Sequence, residues 1–274
     1  MTHSNVTKEQ LEILKEYGFY DIELKTPYEI RRMKSSTASL ILYNSGKLVI
    51  QGKDENKKIT ENLLDKHKIG KKINNEIKII NLTGITIGSD ETLKGDTFGG
   101  IVVAAVKVND KTRNSLQLLG VRDSKKIDDN KIPAMSDEIK RILTEKNYTI
   151  KNITPEIYNQ QNSQNLLNIL HLQCGLDLQE KNAKHIVDKY PGCNVGDIQE
   201  TKADSKYISV AAASIIARDA GLKQINILSN KIGMNIPKGS THVKNALEFL
   251  KSSKKDPKFF VKLHFKNVQK ALNL

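Results

Sequence analysis

The chain has 274 residues, 27% of them charged, with a formal net charge of +13 and two cysteines; its pI is near 9.5 and its mean hydropathy −0.46. That length holds one large domain or a small one beside a medium one, and no apolar run approaches the roughly 18 residues of a membrane-spanning helix. Cys174 and Cys193 show neither metal-ligand nor disulfide spacing, and Met-Thr-His-Ser-Asn is not the start of a signal peptide, so a reduced cytoplasmic compartment and no membrane are expected.

Lys and Arg exceed Asp and Glu on both sides of residue 79. This balance suits a polyanionic partner, most often nucleic acid, although an AT-rich genome also enriches lysine. In chain order, Thr7-Lys-Glu-Gln10 reads as a capping box opening a helix that Gly18 stops. Ala38–Tyr43 and Lys47–Gly52 read as two strands joined by Asn44-Ser-Gly46, with Gly at the position that tolerates a left-handed backbone. Asp54–Lys58 reads as a charged turn, Ile59–Ile69 as a short helix, and Gly70–Asn75 as a linker.

A second unit starts near Ile77. Ile85 and Ile87 alternate with small or polar residues, as in a strand with one buried face, and Ile101–Val108 is a continuous apolar run, as in a strand covered on both faces. The two form an expected antiparallel pair. A helix is expected from Ala134 to Glu145, a third strand over Tyr148–Ile153, a helix over Asn165–Leu178 and a short strand over His185–Val187. Helices are expected over Tyr207–Leu228, Val243–Lys251 and Pro257–Leu272. Strands first and helices interleaved later is an α/β pattern.

Four carboxylates sit where apolar segments end or begin: Asp90, Glu91, Asp188 and Asp204. Asp90 and Asp188 each follow strand residues and would share a sheet edge if those strands are neighbours. The small residues Ala211–Ser214 would let the helix after Asp204 lie close to that sheet. Acids without a His–Cys cluster favour hard cations such as Mg²⁺ or Mn²⁺, and a pair of these suits displacement at phosphorus. On spacing alone, solvated or capping acids are the commoner explanation.

Several ordered segments carry a resemblance: Gly88-Ser-Asp-Glu-Thr-Leu-Lys-Gly-Asp-Thr-Phe-Gly-Gly100, Asp123-Ser-Lys-Lys126, Leu170-His171, Ile186-Val-Asp188, Lys202-Ala-Asp204, Val210–Arg218, Pro237–Ser240 and Lys262–Asn267. Together they resemble ribonuclease HIII, the type 3 branch of the type 2 ribonucleases H. Tyr43-Asn-Ser-Gly-Lys-Leu-Val-Ile-Gln-Gly52 is similar to a hairpin of that branch's N-terminal domain. The resemblance implies a ribonuclease H-like catalytic domain over 77–274, with a mixed sheet flanked by helices. It implies a small α+β domain over 1–76, similar to half of a TATA-box-binding protein, that clamps the substrate duplex with Tyr43 and Lys47 among its contacts.

The activity it implies is cleavage of the RNA strand of an RNA/DNA hybrid, leaving 5′-phosphate and 3′-hydroxyl ends. Asp90, Glu91, Asp188 and Asp204 would hold two Mg²⁺ or Mn²⁺ ions. Gly88, Ser89, Thr92, Leu93, Lys94, Gly95, Ser124 and Lys125 would contact substrate, and no obligate protein partner is implied, so a monomer is expected. Two positions depart from the family pattern: Leu93-Lys94-Gly95 stands where the family has Gly-Thr-Gly, and Gly100 where it has Pro. Leu reaches the backbone angles of Gly only at a cost. A duplex-binding protein with weakened or lost nuclease activity is therefore the second reading.

Overall fold

The computed structural model of the chain describes residues 2–72, 80, 82–121, 127–161 and 163–273. The chain divides into two compact units, 1–76 and 77–274. Strands β1 (Thr2–Ser4), β2 (Tyr20–Asp21), β3 (Glu29–Lys34), β4 (Ala38–Tyr43), β5 (Leu48–Gly52) and β6 (Lys71–Lys72) form an antiparallel sheet in the order β2-β3-β4-β5-β1-β6. The expected hairpin is present: Leu42 pairs with Leu48 across a loop in which Gly46 has φ +74°. Thr7 and Gln10 exchange the two capping-box bonds, and the segment they open, Glu9–Tyr17, is a 3₁₀ helix. Helix α1 (Asp54–Lys66) begins earlier than expected. Asp54 and Glu55, which read as a charged turn, occupy its first turn, where acids complement the helix dipole. Leu11, Leu14, Met33, Leu40, Leu48 and Leu64 form the core of this α+β unit. The linker expected over Gly70–Asn75 begins instead as β6, where Lys71 and Lys72 pair with Ser4 and His3 of β1, and the rest of it lies outside the described residues.

The second unit is a mixed sheet between helices, as the resemblance implies. Strands β7 (Thr86–Thr92), β8 (Ile101–Val108), β9 (Tyr148–Ile153), β10 (Lys184–Asp188) and β11 (Ile198–Glu200) stand in the order β11-β10-β7-β8-β9. β8 is antiparallel to β7 and β9, whereas β10 is parallel to β7 and β11. The other elements are α2 (Asp110–Leu118), α3 (Ile132–Leu143), α4 (Pro155–Asn159), α5 (Ser163–Asp177), α6 (Ile208–Ile232), α7 (Lys244–Ser252) and α8 (Lys266–Leu272).

The apolar run of β8 is covered on both faces, as its pattern predicts. Val102, Ala104 and Val106 pack with α3 and α6, while Ile101, Val103 and Ala105 pack with Leu166, Leu170 and Cys174 of α5. β7 is covered on both faces too, against the expectation of one. Its Gly88 lies so near α6 that a Cβ would stand 2.2 Å from the Val210 nitrogen, so the close approach promised by Ala211–Ser214 also needs a glycine on the strand.

The helix expected over Pro257–Leu272 is two pieces. Between the turn at Pro257–Phe259 and α8, Val261 forms a single bridge to Phe98, and a turn closed by the Phe265 N–H donating to the Lys262 carbonyl leads into α8. The reason is Lys262, which is fully buried and donates from Nζ to the carbonyls of Asp96 (2.6 Å) and Gly99 (2.9 Å). Its ammonium also lies over the rings of Tyr158 and Phe265. Burial lowers the Lys262 ammonium from the ordinary lysine range to about 7. Lys262→Met keeps the stem but takes this donor from two carbonyls. It is expected to cost about 1–3 kcal/mol, read as a lower urea midpoint at unchanged m-value.

Candidate active site

β7 continues through the paired acids to Thr92, rather than ending before them, and this determines where they point. Successive strand residues face opposite sides of a sheet. Gly88, Asp90 and Thr92 therefore face α6: Gly88 abuts Val210, Asp90 accepts from Ser214, and Thr92 lies against Gly221. Ile87, Ser89 and Glu91 face α5, where Ile87 packs with Leu166 and both Ser89 and Glu91 approach His171. The two adjacent carboxylates leave the strand on opposite faces, but at its end both line one cleft with Asp188.

Asp90 finds its companions on its own face. β10 pairs with β7 with Val187 opposite Ser89, so the next residue along, Asp188, stands beside Asp90. Asp188 Oδ1 accepts from the Ala203 N–H at 2.8 Å, ordering the 3₁₀ turn Ala203–Ser205 that carries Asp204 ahead of α6. Lys202 enters that turn with a left-handed φ of +58°. One carboxylate oxygen from each of Asp90, Asp188 and Asp204 lies within 4.8 Å of the others.

Asp90 is 5% exposed and Asp204 2%. Burial first, then repulsion from Glu91, Asp188 and Asp204, raises the Asp90 carboxyl well above the usual carboxylate range. This all-oxygen group with excess negative charge fits a hard divalent cation and suits neither zinc nor copper.

Glu91 is held separately. Its Oε1 accepts from Lys94 Nζ at 3.0 Å, and its Oε2 is 3.4 Å from His171 Nε2. These two buried atoms face each other, and neither has another hydrogen-bond partner. Burial would push the Glu91 carboxyl up, but His171 and Lys94 together hold it below its ordinary value. Behind His171, the Ser89 hydroxyl is 2.8 Å from His171 Nδ1 and 2.8 Å from His185 Nε2, donating to one ring and accepting from the other. Burial, then the nearby His171, lowers His185 to about 4 and keeps it neutral.

The turn after the acids resolves both departures from the family pattern. Leu93 takes the left-handed backbone expected of glycine, at φ +65°. That conformation costs a non-glycine residue about 1–2 kcal/mol, and burying a Leu side chain returns about 1.5–3 kcal/mol. Leu93 is 8% exposed and packs into the core with Phe98 and Ile225. Gly100 is required for another reason: a Cβ would stand 2.1 Å from the Ile153 carbonyl oxygen, and its N–H donates to Gln224 Oε1 at 2.7 Å. A proline ring there would collide and forfeit that bond. Asp96 accepts from the Gly239 N–H at 2.6 Å, tying the turn to a C-terminal loop.

The cleft in front of Asp90 and Asp188 is also walled by Ser214, Arg218, Asp129 and Lys238. Arg218 donates to Asp129 Oδ1 from Nε (3.1 Å) and Nη2 (2.7 Å), and Lys238 pairs with the same carboxylate. Ser214, Arg218 and Lys238 lie in segments that carry the family resemblance, Ser214 also among the small residues expected to let α6 approach the sheet, but none of them is among the expected site residues. Ser214 is the hydroxyl that ends the Ala211–Ala213 run, whereas Asp129 carries no local signal. Leu93, Lys94 and Gly95 lie in the turn beside the acids and Thr92 ends β7 just before it, whereas Gly88 and Ser89 are buried in β7. Ser124 and Lys125 lie outside the described residues. Tyr43 and Lys47 flank the hairpin loop of the first unit.

A family model described as Ribonuclease HII matches residues 87–268, and one described as a domain of unknown function, DUF3378, matches residues 4–75. Ribonuclease HIII of Streptococcus gordonii is 32% identical, covering 95% of this chain and 94% of its own. Bst-RNase HIII, solved in complex with Mn2+, is similar in fold, with a TM-score of 0.62 at 24% identity over 100% of this chain and 98% of its own. Aquifex aeolicus RNase H3 has a TM-score of 0.56 at 26% identity over 97% of this chain and 100% of its own. Among the described residues, no helix is long and apolar enough to cross a membrane. With a family model spanning most of the second unit and end-to-end likeness to a ribonuclease HIII, the chain belongs to the ribonuclease HIII family and is a ribonuclease H.

Proposed function

We propose that the chain cleaves the RNA strand of RNA/DNA hybrids endonucleolytically, using two divalent cations, Mg²⁺ or Mn²⁺, and leaving 5′-phosphate and 3′-hydroxyl ends. The observation that carries this reading is the convergence of Asp90, Asp188 and Asp204 oxygens within 4.8 Å of one another on one face of the sheet. Asp90, Asp188, Asp204 and Glu91 would hold the ions. Bound there, the cations would supply Lewis-acid activation of a water and neutralise charge on the leaving oxygen.

The chain's own residues would do the rest. The Ser214 hydroxyl and the Glu91 N–H, both donors to Asp90, hold that carboxylate in place. Backbone groups from Thr92 to Gly95 would read a 2′-hydroxyl, the group that distinguishes RNA from DNA. Residues 77–274 act as the catalytic domain, and 1–76 as a duplex-binding domain through the Tyr43–Lys47 hairpin, with lysines on both holding phosphates.

The test compares a full hybrid, a duplex with one embedded ribonucleotide, and double-stranded RNA, each with Mg²⁺ and with Mn²⁺. The full hybrid is expected to be cut best and double-stranded RNA refused. Tight hybrid binding without cleavage in either ion would select the non-catalytic binder instead.

A further inference from the structure

One carboxylate oxygen of Glu91 already carries a cation of the protein's own. The Lys94 ammonium stands 3.0 Å from Glu91 Oε1 and 4.6 Å from the centre of the Tyr190 ring. Tyr190 is itself fixed: it is buried, and its hydroxyl donates to Asn168 Oδ1 at 2.8 Å. The ammonium is thus held between a carboxylate and an aromatic face, a favourable arrangement for a partly desolvated cation. Backbone geometry supports it. Leu93, left-handed and anchored in the α6-side core, reverses the chain, and Lys94 returns on the α5 side, over Glu91. In the family pattern stated above, this position carries an uncharged residue.

We propose that Lys94 is a tethered counter-ion for Glu91, which a divalent cation must displace before Glu91 can join its ligands. The inference rests on the two-cation reading above. Asp90, Asp188 and Asp204 already form a complete group without Glu91, so the first divalent ion binds independently of Lys94. An ion that recruits Glu91 competes with the ammonium for Oε1. Lys94 accordingly sets the cation concentration at which the site fills, and acts as a positioning residue for Glu91.

The experiment is calorimetric titration of Mn²⁺ into the full-length protein, without nucleic acid, for wild type, Lys94→Met, Lys94→Arg, Glu91→Gln and the Lys94→Met/Glu91→Gln double variant. Lys94→Met, which keeps the stem over Tyr190 and removes the charge, is expected to bind the weaker Mn²⁺ about tenfold more tightly. Lys94→Arg should stay near wild type. In the Glu91→Gln background the lysine replacement should have no effect, the signature of direct coupling. Unchanged or weakened Mn²⁺ binding in Lys94→Met would overturn the proposal, including the case in which only hybrid KM rises and the lysine is simply a phosphate contact. Asp90→Asn separates the two levels. If wild type binds Mn²⁺ and Asp90→Asn does not, an inert Lys94 sinks only this inference; if wild type binds no Mn²⁺, the two-cation reading falls with it.

Discussion

Asp90→Asn is expected to reduce metal-dependent cleavage of a labelled RNA/DNA duplex by roughly a thousandfold or more, while making the metal-free protein more resistant to heat. Asn preserves the size of the side chain and an oxygen that can accept from the Glu91 N–H and the Ser214 hydroxyl. What it removes is a charge that burial and three neighbouring carboxylates oppose. The sign follows from linkage. The Asp90 carboxyl titrates higher in the folded chain than in the unfolded one, so between those two values the folded state binds more protons and stability falls as pH rises. At neutral pH the wild type bears that penalty and the Asn variant does not. Each kcal/mol relieved should raise the melting temperature by about 2–4 °C in a chain of this size. Normal cleavage by Asp90→Asn would remove the assigned role, and a lowered melting temperature would contradict the electrostatic account.

The second large effect is expected on the fold. Gly88→Ala would place a methyl 2.2 Å from the Val210 nitrogen, 2.3 Å from the Ser209 carbonyl carbon and 2.6 Å from the Ser209 hydroxyl. Two of those atoms are helix backbone, which cannot step aside as a flexible side chain can. α6 must move away from β7, at about 1–3 kcal/mol or more. The same helix carries Ser214 and directly follows the turn that bears Asp204, so activity should fall with stability. Gly95→Ala is the matched control: nothing lies within 4 Å of its would-be Cβ and its backbone is not left-handed, so unfolding should shift by less than about 0.5 kcal/mol. Equal melting temperatures for the two variants would show that α6 yields more easily than its packing implies.

Much of this molecule is readable in one dimension because local patterns report local burial. The continuous apolar run of β8 announces a strand covered on both faces, and Asn44-Ser-Gly46 announces a hairpin; both are present. α2 was missed although Asn109 and Thr112 form a capping box, because its apolar stripe is too short to show a period. The Pro257–Leu272 segment misled in the opposite direction. Its apolar spacing suits a helix, but the buried Lys262 interrupts it through contacts with residues more than 160 positions away.

Local pattern in the chain is enough to establish the α/β class, the paired strands that open the second unit, and the four acids that stand where apolar segments end or begin. Tertiary structure decided how those acids are grouped. Asp188 reaches Asp90 because β10 lies parallel to β7 in a specific register, and Asp204 joins them because α6 packs tightly on Gly88. Neither fact is local, so no window of residues contains it. Glu91, the nearest acid to Asp90 in the chain, faces the other side of the sheet, since strand neighbours alternate, and it is paired there with Lys94. The turn that departs most from the family pattern, Leu93-Lys94, keeps the left-handed backbone through burial of one residue. It places a cation on Glu91 through the other.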